Sequence, residues 1–110
     1  MIIARRLLKL ASETGDTNVP VTISAPEPDE LDWICRFEIG WPAETRHGFA
    51  MGVDSMQALL LALQIIGTEL NTSADHEDGR LAWLEPGSGY GFPVPANVRF
   101  LLRGDDARFF

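Results

Sequence analysis

The sequence predicts an α+β fold: a four-stranded antiparallel β-meander followed by one long helix packed on the sheet, with an irregular Gly/Pro-rich C-terminal segment. Three observations predict it. Segments with two-residue alternation of apolar and polar side chains follow one another through short turn clusters, the pattern of strands with one buried face. A single long segment then switches to the helical period behind a capping aspartate. The links between the strand segments are too short for parallel crossovers, which need a dozen or more residues.

The first strand spans residues 3–10 and ends at Ser12, Glu13, Thr14, Gly15 and Asp16, a cluster of turn formers. In the second, Val19, Val21, Ile23 and Ala25 alternate with Pro20, Thr22, Ser24 and Pro26. Its prolines predict an edge position, because proline cannot donate to a central ladder. The third places Trp33, Cys35, Phe37 and Ile39 on one face and Asp32, Ile34, Arg36 and Glu38 on the other, and reads as central. After the turn at Gly40 to Ala43, the fourth alternates His47, Phe49, Met51 and Val53 with Arg46, Gly48, Ala50 and Gly52.

The helix is expected from Asp54 to Ala74. The Asp54 carboxylate can accept from amides of the first turn, and Gln57 three residues on can reach back in a capping-box variant. Met56, Leu59, Leu60, Leu63, Ile66 and Leu70 keep the helical period and predict the buried face. Gln57, Gln64, Thr68 and Asn71 form a narrow polar stripe, while Ala58, Leu61 and Ile65 extend the apolar surface past one face. That surplus requires a cover, either from the C-terminal third of the chain or from another molecule.

Residues 71–80 carry no large apolar side chain and predict an exposed loop. Residues 81–84 fit a short strand or a buried turn, and residues 85–95 are too rich in Gly and Pro for regular structure. Residues 96–103 fit a strand or a short helix, and the last residues look frayed unless Phe109 and Phe110 dock. The expected organisation is one domain over residues 1–95 and a C-terminal extension over 96–110, docked or partly disordered.

At 110 residues the chain is long enough to bury a core without disulfides or metals. The net charge of −7 opposes nucleic-acid binding, which draws its non-specific free energy from Lys and Arg displacing counterions. Cys35, the lone cysteine, cannot form an internal disulfide, and the N-terminal apolar run is interrupted by Arg5 and Arg6, unlike a signal peptide. A cytoplasmic location is expected. The longest apolar stretch, residues 58–66, contains Gln64 and is far short of the roughly 20 residues that cross a bilayer, so no membrane partner is expected either.

No pattern specifies chemistry. His47, near Glu44 and Arg46, invites a general-base reading, but no nucleophile or orienting carboxylate accompanies it. Asp75, His76, Glu77 and Asp78 carry metal-binding groups, but consecutive residues point in different directions and the run reads as solvated loop. The glycines from Gly87 to Gly91 precede prolines rather than a helix, so they do not form a phosphate-binding turn, although Tyr90 and Phe92 can wall a ligand site with His47. Cys35 shares its face with Trp33, Phe37 and Ile39 and reads as core. Trp41, before Pro42, is a candidate contact residue. No metal or other cofactor is expected.

Residues 52–63, beginning Gly52-Val53-Asp54-Ser55-Met56-Gln57, together with Trp83 and Gly91-Phe92-Pro93, resemble a family of short uncharacterised bacterial proteins that carries the label domain of unknown function. The resemblance covers about residues 3–93, implies a bacterial source and the sheet-then-helix order, and supplies no activity. The expected function is therefore that of a non-enzymatic interaction protein, a homodimer or a small acidic binding, immunity-type or regulatory protein, with Ala58, Leu61, Ile65 and Trp41 at the interface. The alternative is a small-molecule-binding protein or enzyme with a site at His47, Tyr90 and Phe92.

Overall fold

The computed structural model describes residues 1–110. The strands are β1 (Ile2–Leu10), β2 (Thr17–Ser24), β3 (Glu27–Asp29), β4 (Asp32–Gly40), β5 (Thr45–Gly52) and β6 (Leu81–Ala82). Between β5 and β6 lie α1 (Ser55–Asn71) and the single turn α2 (Ala74–Glu77); a 3-10 segment (Ala96–Leu101) and α3 (Gly104–Phe109) close the chain. All six strands join one antiparallel sheet. Two more strands are present than the sequence predicts, and each has a local cause. β4 outruns β2, which pairs only with Phe37 to Ile39, and β3 takes up Asp32 to Ile34 on the same side. β6 adds a two-residue pairing against Lys9 and Leu10 of β1.

β2 is central, not an edge, because β1 and β4 flank it. The sheet tolerates Pro20 there because the β2–β4 ladder begins only at Val21 opposite Ile39. Beyond it Gly40 passes against the Pro20 ring so closely that a Cβ at Gly40 would collide with Cγ and Cδ. The face of β4 read from the sequence holds: Cys35, Phe37 and Ile39 are buried with Val19, Val21, Ile23 and Leu8 in the core under α1.

Helix α1 begins as its sequence dictates. The Gln57 amide donates to Asp54 Oδ1 at 2.8 Å, and the Val53 amide donates to Gln57 Oε1 at 2.7 Å. It stops at Asn71 rather than running to Ala74, and Ser73 then caps α2 by accepting from the His76 amide. The buried face also differs from expectation. Ala58, Ala62, Ile66 and Leu70 turn to the sheet, while Met56 is 80% and Leu60 50% exposed. The reason lies in β5, where Gly48, Ala50 and Gly52 face inward. A Cβ on Gly52 would overlap the backbone of Ala58, so the helix rests on the sheet through small residues on both sides. Ala58, expected as surplus surface, is thus fully buried core.

Much of the outward side of α1 meets the C-terminal third of the chain. Residues 92–95 cross it as a strap at Gly67, where a Cβ would overlap the carbonyl oxygen of Pro93 and crowd Val94 and Phe92. Glycine costs about 1 kcal/mol inside a helix relative to alanine, and close approach of another backbone offsets that cost. Val94, Val98 and Leu102 form a small second apolar cluster beyond the strap.

Candidate functional site

The most elaborate polar arrangement holds the C-terminal segment. His76, expected in a solvated loop, is buried, and its Nδ1 is hydrogen-bonded to the Tyr90 hydroxyl while its Nε2 meets the Leu101 carbonyl oxygen at 2.9 Å. Arg103 donates to the His76 carbonyl oxygen at 2.7 Å. Asp106 accepts from the Tyr90 amide at 2.6 Å and the Gly91 amide at 2.8 Å. Gly89 makes room for it, since any side chain there would strike the Asp106 carboxylate. Arg6 completes the set from β1, donating to the carbonyl oxygens of Tyr90 and Gly91 and lying 3.9 Å from the Trp83 ring centroid.

Burial dominates the titration of His76 and Tyr90. It lowers the His76 pKa below the ordinary imidazole value, a shift opposed by the Leu101 hydrogen bond, and pushes the Tyr90 phenol up to about 12. With the Tyr90 hydroxyl donating to Nδ1 and Nε2–H donating to Leu101, both nitrogens of the neutral ring are occupied by the protein. Neither is left to take a proton from a substrate. The arrangement works as a lock: it joins α2, the Gly-rich loop and the C-terminal segment through partners that are far apart in sequence.

His47, Tyr90 and Phe92 are not brought together as a ligand site. His47 projects from the outer face of β5, its side chain 71% exposed, and pairs with Glu38 Oε1 at 3.1 Å. Tyr90 and Phe92 are buried in the core on the helix-covered face. The sheet separates them because odd-numbered residues of β5 point away from α1. Cys35 is buried, donates its thiol to the Ser24 carbonyl oxygen at 3.4 Å, and burial raises its pKa, so it remains protonated at neutral pH. Phe109 and Phe110 do not dock the C-terminus; Asp106 does. Trp41 is partly buried against the core, and with Leu10, Glu44, Arg46 and Glu69 it lines an open cavity of about 590 Å³.

The sequence reading did not single out the free edge of the sheet. β5 pairs with β4 over eight residues, from Thr45 opposite Gly40 to Gly52 opposite Trp33, with no bulge and no proline, and no strand pairs with its other side. Natural edge strands are usually shielded by Lys, Pro, a bulge or a covering segment. The opposite edge, β1, has such devices: a register shift between Ile2 and Ala4, the charges of Arg5 and Lys9, and β6 across its end. β5 has no lysine, proline or bulge, and its one arginine, Arg46, pairs with Glu69 of α1 at 2.8 Å and donates to the His47 carbonyl oxygen at 2.7 Å.

Apolar side chains surround this edge. Phe49 is 59% and Met51 36% exposed. Above them Leu61 and Ile65 of α1, both half-buried, form with Pro95 an open groove of about 530 Å³ along the strand. Leu61 and Ile65 are therefore where surplus helix surface reaches solvent, as expected, whereas Ala58 is not. The signal available in the sequence was the run of small residues at Gly48, Ala50 and Gly52, which fixes the parity of β5 and turns Phe49 and Met51 outward.

The fold defines an α+β protein in which an antiparallel sheet carries its main helix on one face. The chain belongs to the family described as Domain of unknown function (DUF6968), which it matches over residues 4–94. Thus His76 and Tyr90 lie within the family match, while Leu101, Arg103 and Asp106 lie beyond it. No curated protein and no solved structure matches the chain. No group of three or more His, Cys, Asp or Glu side chains converges as a metal-ligand set, and no helix is long and apolar enough to cross a membrane.

Proposed function

We propose that this protein is a non-enzymatic interaction protein that docks partners on the β5 edge and the adjoining flank of α1. One observation carries the reading: an eight-residue edge strand with no lysine, proline or bulge, bordered by exposed Phe49 and Met51. Such an edge offers a row of backbone donors and acceptors to an extended segment, and the apolar border supplies pockets for its side chains. The acidic balance of the chain supports the same surface, because residues 45–53 contain Arg46 and His47 and no carboxylate. The imidazoles and the thiol do not suggest chemistry: His76 is tied at both nitrogens, Cys35 is buried, and the exposed His47 ring pairs with Glu38.

The test is an NMR titration of isotope-labelled, dilute protein with a synthetic peptide copying residues 44–53. Saturable shifts confined to β5 amides and to the methyl groups of Leu61 and Ile65 are expected. No shifts, or shifts confined to the Trp41 cavity, would refute docking at this edge.

A further inference from the structure

We infer that the occupant of the β5 edge is a second copy of this chain, paired β5 to β5 about a two-fold axis centred on Phe49. The inference rests on the docking reading above and adds the partner and its register. Symmetry restricts the register sharply. Directly opposed residues of an antiparallel pair lie on the same face of the sheet, and a two-fold axis pairs residue i with residue j at a constant sum. Residues on one face differ by an even number, so the sum is even and the axis must pass through a residue, never between two.

The middle of Thr45–Gly52 falls between Gly48 and Phe49, so these two centres give the fullest overlap. Centring on Gly48 sets each Phe49 against His47 of the other copy. Centring on Phe49 opposes the two phenylalanines and sets Met51 against His47, and aromatic pairs are among the more stabilising cross-strand pairs. Because Phe49 is 59% exposed in the monomer, it has apolar surface left to bury in such a pair.

Three further features fit a whole copy rather than an isolated strand. Helix α1 packs over β4 and β5, so its axis lies about half a strand spacing inside the edge. Joining two edges about 4.8 Å apart therefore brings the two α1 axes to about 10 Å, the upper end of the helix-packing range. The surfaces that would meet there carry Leu61, Gln64, Ile65 and Thr68, which line the open groove beside β5.

Area gives the second feature. Phe49, Met51 and Val53, at 59, 36 and 74% exposure, flank the edge with solvent-facing apolar surface. Leu61 and Ile65 continue that apolar surface on the helix side of the groove, so the face is wider than a single strand. The third is charge. Two copies of net charge −7 repel over most of their surfaces, but strand β5 carries no carboxylate, and Arg46 is already paired to Glu69. Here the copies can approach without opposing like charges.

Sedimentation equilibrium from micromolar to millimolar concentration, joined to cysteine cross-linking, tests the inference. The wild type is expected to sediment at twice the monomer mass at the upper end. The double variant Phe49→Lys/Met51→Lys should stay folded, since both side chains face outward, and should raise the dissociation constant by about a hundredfold or more, because symmetry counts each substitution twice. Phe49→Cys should form a disulfide-linked dimer on mild oxidation, whereas His47→Cys should not. In the proposed register the two copies of residue 47 lie about 13 Å apart along the strands, beyond disulfide reach. Native Cys35 is buried and does not compete.

A dimer that persists in the double variant, or that cross-links through His47→Cys and not Phe49→Cys, overturns the assignment. A wild type that is monomeric at millimolar concentration yet binds the residue 44–53 peptide overturns self-pairing and leaves the docking edge standing. A monomer that binds neither overturns both.

Discussion

Replacing Gly67 by alanine sets two effects against each other, and the structure decides which wins. In an isolated helix the change would stabilise by about 1 kcal/mol, because alanine is the better helix former. Here the new methyl would lie inside the carbonyl oxygen of Pro93 and press on Val94 Cγ1 and Phe92 Cβ. The first of these is backbone, so no rotamer change relieves it and the strap must lift. Phe92 and Val94, only 6% and 5% exposed, then lose part of their burial. Partial exposure of two such side chains costs about 2 to 3 kcal/mol, in line with overpacking elsewhere, and exceeds the helical gain. Gly67→Ala is therefore expected to lower unfolding stability by about 1 to 2 kcal/mol in urea denaturation. It should also speed tryptic cleavage at Arg99 and Arg103, because the segment they occupy is joined to α1 by the strap. A variant as stable as wild type or more so, with unchanged cleavage, would refute the account of the strap.

Three other substitutions probe the lock and the helix seat. Asp106→Ala strands the Tyr90 and Gly91 amides and should cost about 3 kcal/mol by calorimetry, while exposed Asp105→Ala should stay within about 0.5 kcal/mol. Gly52→Ala forces β5 and α1 apart at Ala58 and should destabilise by about 2 kcal/mol, read as an earlier denaturation midpoint. His76 is held neutral in the fold, its pKa lowered below 6.5 first by burial. The unfolded chain therefore binds the extra proton as pH falls through 6.5, and folding stability should drop as the pH falls below neutral. His76→Phe should flatten that slope, and equal slopes for the two proteins would count against a buried neutral imidazole.

How much of this was legible in the sequence varied with the range of the interaction involved. The Asp54 cap and the buried face of β4 were readable, because both depend on neighbours a few residues away. The buried face of α1 does not follow side-chain bulk, because the helix seats through Ala58 and Ala62 on Ala50 and Gly52. The same small residues set the parity of β5 and so expose Phe49 and Met51. Leu61 and Ile65 were legible as surplus apolar surface, but not the edge strand beside them, since an edge is defined by the absence of a neighbour. His76 and Asp106 were invisible for the opposite reason. Each looks like ordinary solvated charge until Tyr90, distant in sequence, is brought against it by the fold.

The central claim, that β5 is an edge built to receive another strand, is tested most directly by amide hydrogen exchange along Thr45–Gly52 in the wild type at high and low concentration. The account predicts that the amides on the side of β5 away from β4 exchange slowly when concentrated and become labile on dilution, while those bonded to β4 stay protected throughout. Exchange of those outer amides at the rate of exposed loops at every concentration, with none slowed by the residue 44–53 peptide, would contradict it.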